Sequence, residues 1–179
     1  MHLSVKNNIS IIENIKKKYP NIDVMAGNIA TKDAAKYFLT KGEDAIKVGI
    51  GPGSLCTTRL MAGAGVPQLT AIMDAYEATK GKIPICADGG IRKPADVVKA
   101  IGAGADNVMM GFVLAGTDET PGQIVEIDGK EFKEYRGSAS YEVSLKKKDL
   151  DGEEDKEIIS VEGEKTLVPY KGPVKPLIK

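Results

Sequence analysis

Ile9, Ile11, Ile12 and Ile15 recur on one side of a helical wheel between residues 5 and 18, with Asn7, Asn8 and three lysines outside it. Pro20 ends the pattern, so an amphipathic helix is predicted. Ile22 to Ala26 then reads as a short buried strand running into Gly27-Asn28. Thr31 caps a following helix, with Ala34, Ala35, Phe38 and Leu39 inward and Gly42 as its stop. The pattern repeats. Ala45 to Gly49 is a strand, and beyond a long Gly-rich loop Leu69, Ile72, Met73 and Tyr76 stand at i, i+3, i+4 and i+7, an inward helical stripe. A third unit has Ile83 to Ala87 as strand and Asp88-Gly89-Gly90 as turn. Its helix carries Pro94 in the first turn, Val97, Val98 and Ile101 inside, and Gly102 and Gly104 at the close. Asn107 to Gly111 is a fourth strand.

Apolar strands alternating with single helices belong in a parallel sheet covered by helices, so the class is α/β. In each unit the Gly-rich, chemically distinctive residues follow the strand, which is where barrels place active sites. That regularity favours a (β/α) barrel over a doubly wound sheet. Residues 1–116 hold these units. Over 117–137 the composition changes: Gln123 to Ile127, Asp128-Gly129 and Lys130 to Tyr135 predict a β-hairpin. The segment 138–161, with Lys146-Lys147-Lys148 followed by five acidic residues, reads as a mobile solvated flap or as a charged linker without function. Residues 162–179 form a Pro-rich extended tail that ends without a helix. The whole chain is expected to be one partial catalytic barrel domain.

Composition narrows the function classes. The chain has 179 residues, 25 basic against 25 acidic, and two cysteines, with a pI near 6.6. That balance supplies no long-range field for nucleic acid or anionic lipid. No apolar run approaches the roughly 20 residues of a membrane span. The N-terminus lacks the pattern of a secretory signal, and the two cysteines form no CxxC or zinc pattern. A cytoplasmic protein without nucleic-acid or membrane partners is expected.

Gly49 to Arg59 (GIGPGSLCTTR) is the most informative run. Its glycines let backbone groups turn toward an ion or phosphate, and Ser54 adds a hydroxyl at the same rim. Cys56 lies beside Thr57, Thr58 and Arg59 rather than in an apolar run, and becomes a nucleophile where nearby charge favours its thiolate. Cys86, between Ile85 and Ala87, reads as a buried small hydrophobe. Asp88 with Gly89 and Gly90 puts a carboxylate beside two backbone positions open to close approach, which suits a ribose diol or an amide flanking a phosphate. Gly111, followed by Phe112 and Val113, reads either as a plain helix start or as one whose N–H groups face a phosphate. His2 is the only histidine, which excludes a multi-His metal site within one chain.

Lys47 to Arg59 (KVGIGPGSLCTTR), Gly63 to Ile72 (GAGVPQLTAI), Ala87 to Ile91 (ADGGI), Val108 to Gly111 (VMMG), Ala115 to Gly122 (AGTDETPG), Tyr135-Arg136-Gly137 and Val168 to Pro173 (VPYKGP) together resemble the IMP dehydrogenase/GMP reductase family. The resemblance covers nearly the whole chain and implies a purine-nucleotide oxidoreductase. In that family a loop cysteine attacks carbon 2 of the purine, and a nicotinamide cofactor exchanges hydride with the same carbon. Cys56 matches that nucleophile. Ser54, Asp88, Gly89, Gly90, Gly111, Tyr135, Arg136 and Gly137 would surround ribose and phosphate, with Phe112, Ser138 and Ala139 matching by position. Asn28, Gly49, Ile50 and Gly51 would border the cofactor. Gly51, Gly53 and Cys56 match the backbone ligands of a monovalent cation, K+, in many dehydrogenases. Family members are tetramers of whole barrels, so the resemblance implies a homo-oligomer.

Within that family the dehydrogenases hydrolyse the adduct with an Arg-Tyr pair in the flap, whereas the reductases manage ammonia with a Thr and a Glu. The only arginines here are Arg59, Arg92 and Arg136, none of them in the flap. Thr58 and Glu162 occupy the positions of the Thr-Glu pair, and Gly137-Ser138-Ala139-Ser140 is similar to some bacterial reductases. AGTDETPG is dehydrogenase-like. The resemblance therefore points first to a GMP reductase using NADPH, with an IMP dehydrogenase using NAD as the alternative. A third possibility is geometric: four strands are half of an eight-stranded barrel of about 250 residues. A nucleotide-binding half-barrel without turnover of its own is thus also open.

Overall fold

The computed structural model describes residues 11–137 and 165–178. The expected flap, together with Ser138, Ala139 and Glu162, lies outside the described residues. The chain forms two compact units, one of residues 1–52 and 65–110, the other of 53–64 and 111–179.

The first unit is a parallel sheet in chain order, β1 (Met25–Ile29), β2 (Ala45–Val48), β3 (Ile85–Asp88) and β4 (Asn107–Met109). Helix α1 (11–18) precedes it. Helices α2 (Lys32–Phe38), α4 (Gln68–Thr79) and α5 (Pro94–Gly102) link consecutive strands. Sequential parallel strands joined by single helices are the winding of a (β/α) barrel, and four such strands are half of its eight. Phe38, Ile46, Ile72 and Ile85 are fully buried between sheet and helices, each contributing about 1.5–3 kcal/mol. The Thr31 hydroxyl accepts the Ala34 N–H at 3.3 Å, as its capping position requires.

Several sequence expectations need correction. β1 begins at Met25 rather than Ile22, because the Ile22 N–H closes the turn after α1 on Tyr19 O and the Asp44 carboxylate takes the Val24 N–H. β3 begins at Ile85, where its N–H meets Asp106 Oδ2. In α4 the buried stripe is Ala71, Ile72, Ala75 and Thr79, while Leu69, Met73 and Tyr76 are exposed. Two stripes of i, i+3, i+4 spacing coexist in this helix, and the small side chains of the first allow closer approach to the sheet. In α5 the same choice buries Ala100 and leaves Val98 71% exposed, with Ile101 also exposed.

The second unit holds an antiparallel sheet of β5 (Ile124–Ile127), β6 (Lys130–Arg136) and β7 (Lys165–Pro169) in that order. The expected hairpin is present, with Asp128 and Gly129 both at positive φ, as a tight two-residue turn demands. The tail is more than an extended strap. Its β7 pairs with β6 from Phe132↔Pro169 to Arg136↔Lys165, and a 3-10 turn forms at Lys175–Leu177. Lys133 is buried, and its ammonium donates to the carbonyls of Thr117 at 3.0 Å and Thr120 at 2.6 Å. A short helix, α3 (Thr58–Ala62), stands where the sequence suggested only loop, closed by Gly63 in the left-handed region.

Candidate active site

In the first unit the residues that end β1, β2 and β3 are tied together around one carboxylate. Asp88 closes β3, and its Oδ2 lies 2.9 Å from Lys47 Nζ and accepts from Asn28 Nδ2 at 2.8 Å. The second amide hydrogen of Asn28 goes to Gly49 O at 2.8 Å. Behind this group, Gln68 Nε2 donates to Val48 O at 2.9 Å and Asp88 O at 3.3 Å, bridging β2 and β3. Gly49 has φ +140, and a Cβ there would collide with Asp88 O and stand 2.9 Å from Gln68 Nε2. Only glycine fits. Gly51, Gly89 and Gly90 also take positive φ in the loops that follow β2 and β3.

The cofactor and substrate residues expected in this unit are thus partly joined. Asn28, Gly49 and Asp88 form one hydrogen-bonded group, with Gly89 and Gly90 next in the chain. Lys47 and Gln68 were not singled out from the sequence as members of this group, although both lie in the quoted motifs. Lys47 is a strand residue whose neighbours are known only once the register Gly27↔Lys47↔Cys86 is known. Cys86 is buried, and burial followed by the Asp88 charge pushes its thiol up, with Lys47 opposing. That fits the structural role read for it.

In the second unit Cys56 is half-buried on the loop before α3. Its N–H donates to Gly53 O at 3.1 Å, and its Sγ is 3.1 Å from the Thr58 hydroxyl, either atom being able to donate. Ser54 is half-buried on the same loop. Gly111 starts a single turn whose Leu114 and Ala115 N–H groups return to Gly111 O, rather than the short helix expected. Gly111 is close to Tyr135: a Cβ there would lie 2.9 Å from the Tyr135 hydroxyl. The Phe112 and Tyr135 rings meet edge to face at 6.2 Å, and burial pushes the Tyr135 phenol up. Lys171 Nζ donates to the carbonyls of Phe112 and Val113, over the Phe112 ring, and burial pushes its ammonium down. Arg136 pairs with Glu134 at 3.1 Å on its own strand, and Gly137 follows it.

A parallel sheet wound in chain order, with glycine-rich loops at the ends of its strands, is the architecture of the parallel α/β barrel class. The family described as "IMP dehydrogenase / GMP reductase domain" matches residues 1–179, and the chain belongs to that family. An inosine-5'-monophosphate dehydrogenase from Borreliella burgdorferi is 50% identical over 178 residues, 95% of this chain and 43% of that protein. A GMP reductase from Leishmania donovani is 47% identical over 162 residues, 88% of this chain and 33% of that protein. In three dimensions the chain is similar to a variant GMP reductase from Trypanosoma brucei in complex with guanosine 5'-monophosphate. There the TM-score is 0.87 at 42% identity, covering 95% of this chain and 35% of that one. The chain therefore spans about a third to two-fifths of the length of these relatives. Among the described residues no helix is long and apolar enough to cross a membrane.

Proposed function

We propose that this chain carries the thiol-loop part of a purine-nucleotide oxidoreductase, a GMP reductase converting GMP to IMP and ammonia. The observation that carries this reading is the Thr58 hydroxyl within 3.1 Å of Cys56 Sγ. The Cys56 sulfur attacks carbon 2 of the guanine ring, and the exocyclic amine leaves as ammonia. Thr58, with Glu162, handles the proton that the departing amine needs. Asp88, Gly89, Gly90 and Ser54 receive ribose and phosphate, with Gly111, Phe112, Tyr135, Arg136, Gly137, Ser138 and Ala139 completing that set. Asn28, Gly49, Ile50 and Gly51 border a nicotinamide coenzyme, NADPH in this reading. Both amide hydrogens of Asn28 are committed to the protein, leaving its Oδ1 as an acceptor suited to a carboxamide donor. When bound, that coenzyme would supply a hydride to carbon 2, and the carbon–sulfur bond would then break, returning Cys56 as its thiolate and releasing IMP.

Gly51, Gly53 and Cys56 would give backbone carbonyls to K+. Gly53 O accepts the Cys56 N–H and keeps a second lone pair for a cation. A cytoplasmic homotetramer completes the reading.

The test is GMP + NADPH + 2 H+ → IMP + NADP+ + NH4+, followed by loss of the reduced-nicotinamide absorbance with GMP present. NADH formation from IMP and NAD+ instead would assign the dehydrogenase, a reading that the AGTDETPG segment favours. GMP binding without either hydride transfer would assign a nucleotide-binding part without turnover. A Cys56→Ser protein with full turnover would remove both enzymatic readings.

A further inference from the structure

Lys47 is the one charged residue of β2, at the centre of a parallel sheet where charged side chains are scarce. Its place is built for it. Gly27 on β1 sits opposite in register, and a Cβ there would lie 2.8 Å from Lys47 Cβ. The side chain ends with Nζ 2.9 Å from Asp88 Oδ2 and 4.0 Å from Met109 Sδ. Here Lys47 and Asn28, from two different strands, both donate to Oδ2, and Oδ1 has no partner among the described residues. Two donors fill the lone pairs of one oxygen and hold the carboxylate plane, so the other oxygen is the acceptor left at the strand ends.

We propose that Lys47 is a positioning residue that holds Asp88 with Oδ1 presented to the hydroxyls of a ribose, and so sets the site's preference for an intact 2′,3′-diol. The inference rests on the nucleotide reading above and adds a residue to it. Lys47 acts in two ways. Its charge offsets the carboxylate, so an anionic nucleotide meets no bare negative group. Its hydrogen bond fixes the side-chain torsion, so Oδ1 does not rotate into the place of Oδ2.

The experiment measures equilibrium binding of GMP, IMP and their 2′,3′-dideoxy counterparts to the full chain and to Lys47→Met. The unaltered protein should prefer the ribonucleotide by about tenfold to a hundredfold, the range for hydrogen bonds to a charged acceptor. In Lys47→Met that preference should fall to within about threefold while affinity for the dideoxy compound changes little. Retention of the full preference by Lys47→Met overturns the proposal. So does an equal loss for both nucleotides in a variant whose thermal unfolding is unchanged. If Lys47→Met does not fold, the Lys47 ammonium nitrogen resonance of the unaltered protein decides. It should move on addition of GMP and stay in place with dideoxy-GMP, and an equal response to both overturns the proposal. Failure of the unaltered protein to bind any of these nucleotides would overturn the nucleotide reading itself, a result distinct from either outcome for Lys47.

Discussion

Cys56 Sγ, on the loop before α3, and Thr58 Oγ1, in the first turn of that helix, stand 3.1 Å apart, two residues apart in sequence and part-buried. In the proposed reading this places a hydroxyl within hydrogen-bond reach of the attacking thiol before any substrate arrives. Replacing that hydroxyl by a methyl keeps the shape of the side chain and removes the proton path. Thr58→Val is expected to lower kcat by about 10²-fold, the usual scale for losing one acid/base partner, with little change in KM. Steady-state kinetics with the nucleotide that proves to be the substrate would show it. A variant with unchanged kcat would remove Thr58 from the chemistry.

The two cysteines should separate cleanly in their reactivity. Cys86 is 4% exposed, and its burial, with the Asp88 charge beside it, pushes the thiol up. Cys56 is half-buried on a loop. Iodoacetamide applied to the native protein is expected to label Cys56 while Cys86 reacts at least about a hundredfold more slowly, because Cys86 must wait for local opening. Peptide mass mapping with and without denaturant reads both rates. Equal native labelling would mean that β3 opens far more easily than its packing allows.

What was legible in the sequence followed the range of the forces involved. Thr31 as a cap and Asp128-Gly129 as a hairpin turn were readable because each is settled within a few residues. The partner of the tail was not. β7 pairs with β6 across some thirty residues of chain, from Arg136 to Lys165, and extended Pro-rich sequence carries no sign of which edge it will join. The α4 face was misread because two apolar stripes compete on one helix, and only the sheet decides that the alanine-rich one goes inside. Among the candidate residues, Asp88 of the first unit and Cys56 and Thr58 of the second stood out by residue type and motif. Lys47 and Gln68 did not, since a lysine in a strand acquires meaning only from the register that sets it beside Asp88.

Gly49 offers a test of how closely the ends of β2 and β3 must approach. Its φ of +140 disfavours any side chain, and an added Cβ would overlap Asp88 O and crowd the Gln68 amide. Gly49→Ala is expected to cost about 2–4 kcal/mol, combining backbone strain with a forced shift of Asp88. Thermal unfolding should show a Tm lower by several degrees. Gly42→Ala is the control, because Gly42 also has positive φ but meets nothing within 4 Å. It should lose only the conformational part, about 1 kcal/mol.

Glu43 gives the clearest pH signature. It is 6% exposed, and neither carboxylate oxygen has a hydrogen-bond partner. Burial pushes its pKa above the ordinary carboxylate value. Its own backbone N–H pulls the other way without forming a well-shaped hydrogen bond; Asp44 adds to the rise and Lys41 opposes it. The folded protein therefore holds this proton to higher pH than the unfolded chain does. Stability from Glu43 is fully present below its unfolded pKa of about 4.3 and is lost as pH rises through the higher folded value. The neighbouring Asp44 works oppositely, since Lys16 and then the Val24 N–H hold its carboxyl below the ordinary value. Its contribution is present above the unfolded pKa and lost on acidification. Comparing Glu43→Gln with the unaltered protein cancels Asp44 and leaves the Glu43 effect alone. The variant should be more stable at pH 7, because a neutral amide in the same place carries no buried charge. That advantage should shrink toward zero as pH falls below about 4. Urea unfolding across this range measures the difference, and an advantage that grows toward acid would show that the carboxylate is paired in solution.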